Sequence, residues 1–373
     1  MQGEHGQETE THAYPFAGQA NAKVSLYVLD LPPRSAGANP SGAPEAVLLP
    51  LVPQSGEPGC DDCVARGDYY VARADWVPEG LVAVQLQDRR QARLQLLLLD
   101  VPRRSAHLVL SEAWERRGGS AQGRGAGVGG WVNILDMLLV LPCQARERDE
   151  LLFVWGAERE QDEGLARLRL YRYARCGEGW AHGALRCLRT LSHPSGCVLS
   201  VEGLGLCLSG GAQGVLYAGN EEDAWGQRHL FFAPLWTDAP ATRLTSDRGE
   251  HSAFLCGAGD CEGGRTLLAL VTHSLAQPPR LSLCALHEAP LRVQALTELQ
   301  RAELVDPRIR QNPALRSALR APELFSFRNR EGLRLYCALY LPPPYSLSSP
   351  PPSPLPLLVS VYGGPGVQAV CEG

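Results

Sequence analysis

The feature that most constrains the fold of this chain is a recurring pair of short apolar segments separated by a turn. The first segments of four such pairs begin near Val82, Leu152, Leu216 and Leu267, at steps of 70, 64 and 51 residues. Short apolar or alternating segments bounded by Gly, Pro and Asp are typical of strands. The spacing is long for a sandwich hairpin. It favours four-stranded propeller blades with variable loops, because a single blade cannot bury its own sheet face. A β-sandwich with long loops is the alternative.

The segments that predict strands share an alternating or apolar pattern that stops at a turn residue. They are Gly80–Leu86, Arg93–Leu99, Glu150–Trp155, Leu168–Tyr173, Gly214–Gly219, His229–Ala233, Arg265–Thr272 and Arg280–Leu286. Helical patterns are confined to Leu296–Leu304 and Pro313–Leu319. The fold class is therefore predicted to be mainly β.

Charge and hydropathy narrow the function classes. The 373 residues include 35 Lys and Arg against 40 Asp and Glu, a formal net charge of −5, without a basic stripe that would suggest nucleic acid. Residues 1–12 form a polar tail that lacks the basic and apolar regions of a signal peptide. An uninterrupted apolar run of about eighteen residues is also missing, so we expect a cytoplasmic protein without a membrane partner.

Twelve cysteines are scattered along the chain, and in a cytoplasmic protein we expect them to be reduced. Cys60 and Cys63 have the spacing of half a zinc site, but a second pair at a matching distance is missing. We interpret Cys60–Cys63 as a surface loop rather than a metal or redox site. The sequence therefore predicts no cofactor and no metal.

The region from about Ala321 has a different pattern. Two strands are predicted at Pro322–Phe327 and Leu333–Tyr340, followed by a Pro/Ser-rich loop. The apolar run Leu357–Val361 then stops at Tyr362 and a Gly-Gly-Pro turn. Such a run predicts a buried strand that ends on a loop bringing backbone close to a ligand. A hairpin followed by a parallel-type strand is a plausible start of an α/β sheet.

Several segments, in order from about residue 13 to 368, together resemble the prolyl oligopeptidase and dipeptidyl peptidase IV family, and most of all its cytosolic dipeptidyl peptidases. They are Tyr14–Gly18, Tyr70–Trp76, Asp88–Leu96, Trp131–Asn133, Arg243–Thr245, His251–Ser252 and Val359–Pro365. The resemblance implies a β-propeller over residues 13–320, incomplete in its N-terminal part relative to the family. It also implies the truncated start of an α/β-hydrolase domain over residues 321–373.

The resemblance implies serine-type removal of Xaa-Pro or Xaa-Ala dipeptides from peptide N-termini, with a Ser-His-Asp triad. The nucleophile motif Gly-x-Ser-x-Gly is not matched by any serine of this chain. We therefore expect a fragment or isoform of a dipeptidyl peptidase that is inactive alone, which leaves open whether this chain is itself an enzyme. The alternative is a non-catalytic propeller module that binds peptides or proteins. The implied partners of the full-length parent are Xaa-Pro peptides and a second copy of that parent.

One catalytic residue carries over from the resemblance. Tyr362 matches the family tyrosine whose hydroxyl helps to form the oxyanion hole, where one donor contributes a rate factor of about 10²–10³. A buried tyrosine that only caps a strand is the alternative. The acidic pair that holds the substrate amine lies, in the family, before the segment that matches Tyr14. Glu221-Glu222 is an acidic pair in this chain, and we interpret it as a solvated turn rather than a substrate anchor.

Overall fold

The computed structural model describes residues 16–29, 46–54, 56, 61–77, 80–113, 132–141, 150–158, 165–176, 179–204, 214–222, 224–256, 266–275, 277–288, 291–299, 311–314, 320–363 and 367–372. These residues form strands and one short 3₁₀ helix, Val64–Arg66, and Gln311, Pro313 and Ala314 are helical as well. The strands are β1 Tyr27–Leu29, β2 Ala46–Leu48, β3 Tyr69–Val77, β4 Leu81–Asp88, β5 Arg93–Asp100, β6 Ser105–Ala113, β7 Leu138–Val140, β8 Glu150–Glu158, β9 Ala166–Cys176, β10 Gly179–Thr190, β11 Gly196–Leu204, β12 Gly214–Glu221, β13 His229–Pro234, β14 Thr242–Arg243, β15 Glu250–Cys256, β16 Thr266–Ser274, β17 Gln277–Glu288, β18 Leu291–Leu299, β19 Glu323–Arg328 and β20 Arg334–Leu339.

Most of these strands belong to four sheets, each built from four strands that are consecutive in sequence. The orders are β3-β4-β5-β6, β10-β9-β8-β7, β11-β12-β13-β14 and β15-β16-β17-β18, and β1-β2 and β19-β20 form two-stranded sheets. The prediction of a mainly β chain with four-stranded units is therefore confirmed.

The four predicted starting points lie in the second strand of each sheet, not the first. Val82, Leu152, Leu216 and Leu267 fall in β4, β8, β12 and β16. The second strand is flanked by two neighbours and is the more buried one. In β4, seven of the eight residues are buried, whereas in β3 only Val77 is. The apolar pattern therefore predicted the inner strands but not the edge strands.

The helix predicted at Leu296–Leu304 is wrong as far as the described residues reach. Residues up to Leu299 belong to β18, which pairs antiparallel with β17 from Leu281↔Leu299 to Glu288↔Leu291. Helix propensities differ by less than about 1 kcal/mol per residue, so the hydrogen bonds offered by a neighbouring strand outweigh them. The second predicted helix, Pro313–Leu319, lies mostly outside the described residues.

The chain groups into two compact units. The first comprises Met1–Ile134 and Tyr173–Leu185, and its core is an apolar cluster that includes Val84, Leu97 and Leu99, none of them accessible to solvent. The 3₁₀ helix is tied to this core because the backbone N–H of Val64 donates to the side-chain oxygen of Gln95 at 2.9 Å.

The second unit comprises Leu135–Arg172 and Arg186–Gly373. One of its apolar clusters contains Leu168, Tyr217 and Phe231, and a second contains Leu216, Leu230 and Leu268. Alternate residues of β12 therefore enter different clusters, as expected for a strand that is covered on both faces.

The hairpin β19–β20 confirms the two strands predicted after residue 321, with register from Glu323↔Leu339 to Arg328↔Arg334. The buried strand predicted at Leu357–Val361 is not formed: its residues have no strand assignment, and Leu358 is 94% exposed. A strand needs a neighbour that accepts and donates its backbone hydrogen bonds, and none pairs with this run within the described part of the chain. An α/β-hydrolase domain over 321–373 thus stays a prediction, as does the boundary near residue 320.

Across the described residues, no helix has the length and apolar character needed to cross a bilayer.

Candidate functional site

Tyr362 lies in an extended, solvent-exposed segment. Its side chain is 58% exposed, and the neighbouring Val361 is 83% exposed. Gly363 has no neighbour within 4 Å of where a Cβ would stand, and Gly364 lies outside the described residues. The interpretation of Tyr362 as a buried residue that caps a strand is therefore wrong for this chain. Its predicted role as an oxyanion-hole donor stays a prediction.

Two serine–histidine pairs occur among the described residues, and both are local. Ser195 Oγ lies 3.0 Å from Nδ1 of His193, and Ser105 Oγ lies 2.9 Å from Nε2 of His107. In each pair the residues are two positions apart, so the contact follows from a turn or from one face of a strand. The backbone N–H of Ser195 also points to Nδ1 of His193, at 3.3 Å. This pattern is a side-chain-supported turn rather than the strand-to-helix elbow that exposes a nucleophile.

The turn at His193–Gly196 is organised by Arg167 of β9. The guanidinium donates to the carbonyl oxygen of His193 at 2.6 Å and also to those of Pro194 and Gly196. The backbone N–H of His193 donates to the hydroxyl of Tyr217 at 2.9 Å. Burial raises the pKa of Tyr217, so this phenol stays neutral. Arg167 therefore serves as a structural clamp.

The most extensive polar cluster of the described residues surrounds His229 at the start of β13. Nδ1 of His229 lies 3.1 Å from the hydroxyl of Thr245, and Nε2 lies 2.8 Å from the side-chain oxygen of Gln227 and 2.9 Å from the guanidinium of Arg243. The Thr245 hydroxyl accepts the backbone N–H of Leu230 at 3.1 Å, so it can donate its own proton to Nδ1. Nε2 therefore faces one obligate donor, the guanidinium of Arg243, and one acceptor, the side-chain oxygen of Gln227.

The imidazole of His229 is held neutral by its surroundings. Burial, followed by the positive charge of Arg243, lowers the pKa of His229 to about 4. The ring stacks on His251 with centroids 5.2 Å apart, and burial also lowers the pKa of His251. Nε2 of His251 lies 2.8 Å from the carbonyl oxygen of Asp247. A ring with such a low pKa is a poor general base near neutral pH.

The acidic pair Glu221-Glu222 does not form a substrate anchor in this structure. Glu221 pairs with Arg243 at 2.8 Å, and Glu222 is exposed in the turn after β12. The prediction of a solvated turn thus holds for Glu222. Glu221 is instead a partly buried ion-pair partner that helps to hold the guanidinium beside His229.

A second ion pair, between Glu202 of the third sheet and Arg228 directly before β13 of the same sheet, lies where the fourth sheet contacts the third within the second unit. Glu202 of β11 accepts from Arg228 at 2.8 Å and from the backbone N–H of Ala253 of β15 at 3.3 Å. The Glu202 side chain is 9% exposed, so its charge is balanced mainly by Arg228. Next to this pair, the N–H of Arg228 donates to Gly249 and the N–H of His251 donates to Arg228. Nothing in the sequence pattern indicated the contact between Glu202 and Arg228, which are 26 positions apart.

The cysteine pair that was interpreted as a surface loop is partly a core element. Cys63 is 4% exposed, and its thiol lies 3.5 Å from the carbonyl oxygen of Leu51. Cys60 lies outside the described residues. Among the residues that are described, no group of three His, Cys, Asp or Glu is placed to hold a metal ion.

Comparison with known proteins identifies the family to which the chain is similar. The model of the dipeptidyl peptidase IV (DPP IV) N-terminal region matches residues 1–260. Dipeptidyl peptidase 8 from Mus musculus is 25% identical over 396 residues, and the one from Homo sapiens is 25% identical over 394 residues. Each alignment covers 97% of this chain and 39% of the relative, so the chain spans about two fifths of the relatives' length.

A solved structure shows the same fold. The crystal structure of Porphyromonas gingivalis dipeptidyl peptidase 4 superposes with a TM-score of 0.50 at 16% identity, covering 79% of this chain and 32% of that chain. The family resemblance noted in the sequence is thereby confirmed. Because the family model spans well over half of its residues, this chain belongs to the family defined by the dipeptidyl peptidase IV N-terminal region.

Proposed function

We propose that this chain supplies the propeller blades, and the beginning of the α/β-hydrolase domain, of a serine-type dipeptidyl peptidase. The observation that carries the proposal is the succession of four sheets of four consecutive strands inside a region that matches the DPP IV N-terminal family. Consecutive four-stranded meanders are the building units of β-propellers. The relatives named dipeptidyl peptidase 8 support the activity class.

The proposed parent protein removes Xaa-Pro or Xaa-Ala dipeptides from peptide N-termini in the cytoplasm and acts as a homodimer. In that reaction a serine attacks the scissile carbonyl, a histidine takes its proton, and oxyanion-hole donors stabilise the tetrahedral intermediate. Tyr362 is the residue of this chain that we assign to the oxyanion hole. Its exposed position leaves the hydroxyl accessible to further polypeptide.

The test compares the chain of residues 1–373 with a longer form that carries a Gly-x-Ser-x-Gly segment. Both are assayed with a chromogenic Gly-Pro substrate and labelled with a fluorophosphonate probe. We expect turnover and labelling of the longer form alone. Turnover that co-purifies with the 373-residue chain would contradict the proposal that it is inactive by itself. A longer form that binds peptides but neither hydrolyses them nor reacts with the probe would favour the binding-module alternative.

A further inference from the structure

Glu372 is bound by three loops of the second unit. Its backbone N–H donates to the carbonyl oxygen of Gly226 at 2.7 Å, and its carbonyl oxygen accepts the N–H of Leu275 at 2.9 Å. Gly226 lies between β12 and β13, whereas Leu275 follows β16. Both backbone groups of Glu372 therefore form hydrogen bonds with loops that belong to two different sheets.

The Glu372 side chain is bound as closely as its backbone. Nε and a terminal nitrogen of Arg248 donate to the two carboxylate oxygens at 2.9 and 2.8 Å, and the Gln227 amide donates at 3.3 Å. The planar guanidinium fork matches a carboxylate in geometry as well as charge. The Glu372 side chain is only 15% exposed although that of Arg248 is 75% exposed. The side-chain oxygen of Gln227 also lies 2.8 Å from Nε2 of His229, so the site is continuous with the polar cluster.

Gly226 leaves room for the backbone of the bound segment. A Cβ at this position would stand 3.4 Å from Cγ of Glu372 and 3.8 Å from Cα of Cys371. The segment therefore packs directly against a residue without a side chain. Together these contacts bind the N–H, the C=O and the carboxylate of one glutamate.

We propose that Arg248, Gln227 and the backbone of Gly226 and Leu275 form a recognition site for a glutamate within a peptide segment, and that Cys371 and Glu372 of the chain itself occupy it. The ligand class is an acidic peptide that presents a glutamate. The site is independent of dipeptidase chemistry, because none of its residues belongs to the proposed catalytic machinery.

A cross-linking experiment on the full 373-residue chain tests the occupancy. Gly226→Cys places a thiol beside Cys371 at a separation that suits a disulfide. Under mild oxidation with oxidised glutathione, non-reducing peptide mapping should find the link between position 226 and Cys371. The same variant with Cys371→Ser is the matched control and should give no such link. Absence of the link in Gly226→Cys would overturn the proposal.

Further variants in the Gly226→Cys background test whether the carboxylate is what is recognised. Adding Glu372→Gln or Arg248→Ala should slow the cross-link by about fivefold, the effect of losing one partly exposed ion pair. Arg248 is exposed, so its replacement leaves the fold intact. Adding Asp61→Asn removes the same charge from an exposed position of the first unit and should leave the rate unchanged. Equal rates in all of these variants would show that mere proximity, not carboxylate recognition, brings the cysteines together.

Competition in trans tests the ligand class. An excess of the peptide Val-Gln-Ala-Val-Ser-Glu, derived from residues 367–372 with serine for Cys371, should slow the cross-link. The peptide that ends in Gln instead of Glu should not. Equal inhibition by the two peptides, or no inhibition by either, would contradict a glutamate-specific site.

Discussion

Nε2 of His229 lies 2.8 Å from the side-chain oxygen of Gln227, so a buried imidazole contacts an amide that in turn faces a carboxylate. The amide nitrogen of Gln227 reaches Glu372 at 3.3 Å. At the other side of the ring, Thr245 links Nδ1 to the backbone of β13. A continuous row of hydrogen bonds therefore runs from a strand to Glu372, and a neutral imidazole is its central member.

The neutral imidazole makes the stability of the second unit dependent on pH. The folded pKa of His229 is about 4, whereas the unfolded value is 6.5, so between these values the unfolded chain binds a proton that the folded chain excludes. The contribution of neutral His229 to the free energy of unfolding is therefore fully present above about pH 6.5. It is lost as the pH drops towards 4, and the loss is at most about 3 kcal/mol for this ring. Urea unfolding at pH 7.5, 6, 5 and 4.5 measures the slope.

His229→Gln should flatten that slope, because the titrating group is gone. Leu235→Ala is the control: it removes a side chain that is 2% exposed in the same unit and keeps every histidine. It should lower stability at all pH values and leave the slope as in the original chain. A His229→Gln protein with the original slope would show that another group governs the dependence.

Glu202 is expected to be the acidic residue whose loss costs most among the described ion pairs. Glu202→Ala leaves the partly buried Arg228 without its counter-charge and the N–H of Ala253 without its acceptor. We expect a loss of about 2–3 kcal/mol in the free energy of unfolding, below the fully buried range because Arg228 is 28% exposed. Asp62→Ala, which removes an exposed partner 4.0 Å from Arg93, should cost less than about 0.5 kcal/mol. Similar losses for the two variants would refute this difference.

Substitutions at Gly249 and Gly332 distinguish the cost of a steric clash from the cost of an unfavourable backbone conformation. Both have positive φ, +127° and +82°, but a Cβ at Gly249 would stand 2.3 Å from the carbonyl oxygen of His273, whereas at Gly332 nothing lies within 4 Å. Gly332→Ala should cost about 1 kcal/mol, the price of the left-handed conformation, and Gly249→Ala should cost clearly more. Thermal unfolding of both variants gives the comparison, and a smaller loss at Gly249 would contradict the close contact.

Tyr362 is expected to matter for chemistry and not for the stability of this chain. In a longer form that hydrolyses Gly-Pro substrates, Tyr362→Phe should lower kcat by about 10²–10³ with little change in KM, because the hydroxyl acts on the developing oxyanion. Tyr340→Phe, at another exposed tyrosine, should leave kcat unchanged. A Tyr362→Phe enzyme within threefold of the original would remove Tyr362 from the oxyanion hole.

The inner strands could be predicted because buried strands require apolar residues, which form an alternating or continuous pattern in the sequence. Leu81–Asp88 and Arg93–Asp100 are examples, each with buried residues along nearly its whole length. Edge strands such as β3 have no such apolar pattern. The residues of β18 favour a helix in isolation, but in the structure they form a strand because β17 supplies hydrogen-bond partners. The run at Leu357–Val361 has the right composition for a strand but lacks a partner in the described chain, and composition cannot reveal that.

The polar cluster could not be predicted because its members come from separate strands and loops. Arg243, Thr245 and His251 were visible only as parts of family-like segments, and Gln227 and Glu372 carried no signal at all. Their proximity is produced by the side-by-side arrangement of β13, β14 and β15. By contrast, the pairing of Ser195 with His193 is local, and a local pair is easily mistaken for a catalytic one until its turn is seen.

The arrangement of each sheet from four successive strands also bears on how the chain acquires its structure during synthesis. Every ladder from β3 to β6, or from β11 to β14, closes through neighbours in sequence, so the entropy lost in bringing its strands together is modest. The first sheet is complete once the ribosome has passed Ala113, long before Glu202 can meet Arg228. Sheets can therefore assemble one after another in the order of translation, and the hydrogen bond from Ala253 of the fourth sheet to Glu202 of the third would form late, between elements that are already folded.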